Sequence, residues 1–131
     1  MTSEADRTAE LVTVDLVKKR IYVRLAGFLS VEDAEQVRAA YLRAIPRVGR
    51  GYTVATIFDS FKPGTPEVQE VFTSMIRLAS EAGCSKAARV MMGSVLGALQ
   101  LGRLSKTDAN YPAQSFETIE EAEAWLDSDE E

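Results

Sequence analysis

An α/β fold with a single mixed, mostly parallel sheet is what this sequence predicts, and three observations predict it. Two alternating stretches stand near the start, a fully apolar β-branched stretch lies near the middle, and capped helical repeats separate the later strand-like runs. At 131 residues, with 46% hydrophobic and 27% charged residues, the chain has the size and composition of one folded domain.

Residues 10–17 alternate, with Leu11, Thr13 and Asp15 against Val12, Val14 and Leu16. Residues 21–25 alternate again after Lys18, Lys19 and Arg20, so the pair reads as a β-hairpin turning at those cations. Ser30 with Asp33 has capping-box spacing, and Val31, Ala34, Val37, Tyr41, Ile45 and Val48 recur at helical intervals, with the helix expected to end near Pro46. Gly49 and Gly51 break the chain before residues 52–58, a β-branched and aromatic run suited to a central strand buried on both faces.

Thr65-Pro66 then reads as an N-cap with proline at the first helical position, where its missing amide hydrogen costs nothing. Val68, Val71, Phe72, Met75, Leu78, Ala79 and Ala82 form that helix's apolar face, and Gly83 closes it. Residues 87–92 form a further strand, and Ser94 caps a third helix carrying Val95, Leu96, Leu99 and Leu104. A turn over residues 108–112 leads to residues 113–116, long enough only for an edge strand. Thr118 with Glu121 starts the last helix, with Ile119, Ala122, Trp125 and Leu126 inward and Trp125 expected to be mostly buried. The expected order is β-β-α-β-α-β-α-β-α, one domain over residues 10–127 between a flexible start, residues 1–9, and an acidic tail, residues 128–131.

Two stretches, Ile21-Tyr22-Val23-Arg24-Leu25-Ala26-Gly27-Phe28-Leu29 and Phe116-Glu117-Thr118-Ile119-Glu120-Glu121-Ala122-Glu123-Ala124-Trp125-Leu126, carry a resemblance together with this order. The chain resembles the STAS and SpoIIAA-like superfamily of bacterial regulatory domains. The resemblance implies a SpoIIAA-like fold and a non-enzymatic, regulatory role in binding proteins, such as antagonism of anti-sigma factors. In such antagonists a phosphorylatable Ser or Thr sits in an Asp-Ser-Ser/Thr-Gly stretch after the third strand. Here Asp59-Ser60 keeps two letters of it and Thr65 keeps the helix-cap position, while no stretch matches the whole motif.

The residue inventory narrows the chemistry. The chain has no histidine, which removes Ser-His-Asp triads, Cys-His pairs and the commonest base near neutral pH. One cysteine, Cys84, allows neither an internal disulfide nor a thiolate zinc cluster, and at a helix end it reads as a small structural thiol. No phosphate-binding glycine-lysine loop is present, and Gly49-Arg50-Gly51 precedes a strand where a nucleotide loop would follow one. An enzyme is therefore not expected, nor any cofactor or metal. A net charge of −5 without a Lys/Arg stripe disfavours nucleic acid, while the polar start and the short apolar stretch at residues 90–101 point to a cytoplasmic protein without a transmembrane segment.

Binding is what remains. Asp59, Ser60, Phe61, Lys62 and Thr65 leave the carboxyl end of the central strand, where ligands gather in open α/β sheets, and reach a helix N-terminus that favours anions. A phosphate on Ser60 or Thr65 would be stabilised there, although a cap at Thr65 and a loop shaped by Asp59 and Ser60 is the plainer reading. The expected partner is a protein, with a homo-oligomer or a small apolar ligand as other options. Met75, Met91, Met92, Leu96 and Leu99 are the candidates for an apolar ligand, against the commoner role of such side chains as core. Arg43, Arg47 and Arg50 offer charge to an acidic partner, but the end of a helix dipole explains them as well.

Overall fold

The computed structural model of the chain describes residues 11–26, 30–59, 65–92 and 111–128. Five strands form one sheet in sequence order: β1 (Val12–Asp15), β2 (Arg20–Ala26), β3 (Thr53–Asp59), β4 (Lys86–Met92) and β5 (Ala113–Phe116). β1 and β2 are antiparallel and every later neighbour is parallel, so the expected mixed sheet is present with β3 at its centre and β5 at an edge. The three described helices are α1 (Val31–Val48), α2 (Pro66–Ala82) and α3 (Ile119–Asp127). The third helix expected from residue 94 onward lies outside the described residues. Among the described residues, no helix is long and apolar enough to cross a membrane.

Helix ends follow local chemistry. Ser30 accepts the Asp33 amide while the Asp33 carboxylate accepts the Ser30 amide, completing the capping box on α1. Thr65 caps α2 through the Val68 amide at 3.4 Å, and Thr118 caps α3 through the Glu121 amide at 3.2 Å. At the far end of α2, Gly83 adopts φ 85° and ψ 33°. The Cys84 amide bonds the Ala79 carbonyl and the Gly83 amide bonds that of Ser80, so two orphan carbonyls are satisfied by a left-handed cap.

Two expectations need correction. α1 does not stop near Pro46 but runs through it to Val48: the proline lies on the exposed side of the last turn, so its ring needs no room in the core and only one local hydrogen bond is lost. The hairpin turns earlier than the cations suggested, because the Asp15 carboxylate accepts the amides of Val17 and Lys18 and pulls the chain round at residues 16–19. Leu16 and Val17 are left exposed, and Arg20 becomes the first residue of β2. Trp125 is mostly buried, as expected, and packs beside Phe116 at the sheet edge.

The sheet separates two apolar layers. Ile21, Val23, Leu25, Val54 and Phe58 face α1 and α2, which contribute Val37, Tyr41, Val68 and Phe72. Ala55, Ile57, Ala88 and Val90 point the other way and receive Ala122 and Leu126 of α3. Burial on both faces accounts for the mostly apolar, β-branched run of β3. Cys84 is buried beside α2.

Candidate functional site

The spacing of residues on α2 builds one of the concave features among the described residues. Phe72, Met75, Ile76 and Ala79 fall at successive three- and four-residue steps, so they share one face of the helix. Below them the sheet presents alternate residues: Val23 and Leu25 from β2, Val54, Thr56 and Phe58 from β3, and Ala87 and Arg89 from β4. Tyr41 of α1 and Tyr111, just before β5, complete the wall of a cavity of about 80 Å³. One water needs roughly 10–15 Å³, so the space is too large for a packing defect and far too small for a long lipid tail.

Arg89 is the charged side chain on this wall among the described residues. It is half-buried, and its Nε donates to Ser115 Oγ at 3.3 Å on the adjacent strand, where the two residues are in register. Desolvation pushes its pKa down from the ordinary value, with neighbouring Tyr111 opposing. Behind the cavity the hydroxyls of Tyr41 and Tyr52 share a hydrogen bond, with ring centroids 6.3 Å apart in edge contact. Burial raises both phenols well above the usual tyrosine range and pushes the Cys84 thiol up to about 12. At neutral pH these groups are uncharged.

A second polar constellation lies on the opposite face, under the end of α3. Arg20, Thr53 and Lys86 are paired across β2, β3 and β4 at the strands' amino ends. Arg20 donates to Thr53 Oγ1 at 2.9 Å, to Glu123 at 3.3 Å and to Asp127 at 2.6 Å, while Tyr22 also donates to Glu123. Lys86 Nζ donates to the carbonyls of Trp125 and Ser128 at 3.0 and 2.7 Å and sits 4.9 Å from the Trp125 ring centroid. Cations are thus placed where the carbonyls at a helix C-terminus would otherwise be orphaned, which makes this cluster a clamp on α3.

The sequence candidates divide accordingly. Asp59 ends β3 and Thr65 begins α2, and both are exposed. Ser60, Phe61 and Lys62 lie outside the described residues, as do Leu96 and Leu99. Met75 lines the cavity; Met91 is partly buried on β4 without reaching the wall, and Met92 closes that strand. Phe72, Ile76, Thr56, Tyr41, Tyr111 and Arg89 were missed as lining residues. A cation interrupting an otherwise apolar strand was the available signal for Arg89. Of the three arginines at the end of α1, Arg50 donates to the Glu81 carbonyl at 3.2 Å, and Arg43 and Arg47 are exposed. No family model matches the sequence, and no curated protein does either.

Proposed function

We propose that this chain is a non-enzymatic regulatory domain of the STAS and SpoIIAA-like kind, acting in the bacterial cytoplasm by binding another protein. The observation that carries the reading is the exposed pair Asp59 and Thr65, one at the carboxyl end of the central parallel strand and one at the N-cap of the following helix. Strand ends of this kind are where α/β sheets receive ligands, and the segment joining the two residues runs from a buried strand to a helix N-terminus. The hairpin opening and the alternation of parallel strands with helices are in keeping with the resemblance. A photo-cross-linking residue placed at position 65, with a second placed at Arg47 at the opposite end of the sheet, tests it in cells. The reading expects a specific polypeptide captured from position 65 and not from position 47; the same pattern from both positions would count against it.

A second reading is favoured by one observation, the cavity between α2 and the sheet. On this reading the domain carries or senses a small apolar molecule, and occupancy of the cavity stiffens α2, whose N-cap is Thr65. Thermal shifts with benzene-sized neutral probes test it, with a rise in Tm expected on binding.

A further inference from the structure

We propose that α3 is a latch, leaving the sheet as a unit ahead of the rest of the fold and uncovering the apolar face made by Ala55, Ile57, Ala88 and Val90. Its first support is length. The helix has 9 residues, whereas an isolated helix shorter than about 12–15 residues is marginal in water, so α3 keeps its shape only while docked. Docking and folding of this helix are one event.

The second support is the way it is held. Its buried residues are Ala122 and Leu126, of which alanine removes little apolar area from water, whereas α2 buries Val68, Val71, Phe72 and Ala79 and α1 a longer series. Much of the remaining grip is ionic. Arg20 and Lys86, 2% and 8% exposed, donate to Glu123, Asp127 and the carbonyls of Trp125 and Ser128, and Lys18 adds longer contacts to Glu123 and Asp127 at 3.9 and 3.7 Å. Attraction between such groups only partly offsets the hydration they lose, and release of the helix returns cations, carboxylates and carbonyls to water together. Opening strands no buried charge. Topology is the third support, since α3 follows β5, lends no strand to the sheet, and covers a layer separate from the one under α1 and α2. The described strands keep their pairing when it leaves, so opening is local and exposes less than unfolding does.

Native-state hydrogen exchange of the full chain in sub-denaturing urea tests the order of opening. Relative to their unstructured rates, the amides of residues 122–128 are expected to exchange at least a hundredfold faster than those of β3, with a weaker dependence on urea because less surface is exposed. Raising NaCl to about 1 M should speed them further by screening the clamp. A thiol placed under the helix by Ala88→Cys reads the consequence, with Cys84 in the other layer as an internal reference. The introduced thiol should react with a thiol reagent in step with α3 exchange and ahead of Cys84. Equal protection and equal urea slopes in α3 and β3 would overturn the latch even if the variant fails to fold. Exchange of α3 indifferent to salt, or an introduced thiol no more reactive than Cys84, would overturn it as well.

Discussion

Arg20 Nη2 lies 2.6 Å from Asp127 Oδ1, so the first residue of β2 grips the last residue of α3. The two ends of this bond differ: the Arg20 side chain is 2% exposed, whereas that of Asp127 is 50% exposed. Loss of the arginine leaves Thr53 and Glu123 without its donors, but loss of the carboxylate charge leaves Arg20 with two other acceptors. Arg20→Met is expected to cost about 2 kcal/mol, in the range of hydrogen bonds to charged groups, and Asp127→Asn only about 0.5 kcal/mol, because solvent screens that end. Urea denaturation of both variants checks the order, and equal losses would mean that the buried end carries no more than the exposed one.

The same pair sets an acid dependence. Hydrogen bonding from Arg20 holds the Asp127 carboxyl below its usual range. A depressed folded value stabilises above the unfolded value of about 4 and is lost as pH falls through the folded one. The difference between wild type and Asp127→Asn should therefore be present at pH 6 and shrink steadily below pH 4. A difference independent of pH would remove the charge from the explanation.

An alkaline limit follows from Tyr41, Tyr52 and Cys84, whose ionisation burial raises in each case. Raised acids of this kind stabilise the fold fully below their unfolded values, about 8.5 for the thiol and about 10 for the phenols. Above those values the unfolded chain releases protons that the folded chain keeps, so stability falls by about 1.4 kcal/mol per pH unit for each group. Denaturation midpoints between pH 8 and pH 11 should decline with a slope that Tyr41→Phe reduces. An unchanged slope in that variant would show that its phenol ionises alike in both states.

Gly83 combines a left-handed φ of 85° with a close neighbour, since a Cβ there would meet Arg50 Cζ at 3.0 Å. Gly83→Ala is expected to cost about 1–2 kcal/mol from the backbone alone. Arg50→Ala in the same chain removes the Cζ contact but keeps its own Cβ at 3.2 Å and leaves φ unrelieved, so it should recover only part of the loss. Full recovery in the double variant, measured by thermal denaturation, would assign the whole effect to the arginine.

Much of the fold was legible because it is local chemistry. Ser30 with Asp33, Thr65-Pro66, Gly83 and Thr118 each mark a helix boundary that adjacent residues alone determine. The alternation at β1 and the mostly apolar, β-branched run at β3 likewise record how many faces each strand buries. Arg20 and Lys86 were not legible as buried residues, since pattern reading puts cations at the surface and their acceptors lie more than 30 residues away in sequence. The cavity was partly legible through Met75 and its α2 neighbours Phe72 and Ala79, while the rest of the wall comes from α1, three strands and the approach to β5, which only the fold brings together.

The central claim is recognition through the surface at Asp59 and Thr65, and calorimetry with the polypeptide captured from position 65 tests it most directly. Asp59→Lys reverses a charge at an exposed strand end, and Thr65→Glu keeps an acceptor at the helix N-terminus while adding charge and length. Both variants should keep the wild-type circular dichroism spectrum and denature within about 1 kcal/mol of wild type. Each is expected to weaken binding at least tenfold, about 1.4 kcal/mol, whereas Arg47→Glu at the other end of the sheet leaves it unchanged. Wild-type affinity in both Asp59→Lys and Thr65→Glu would contradict the account.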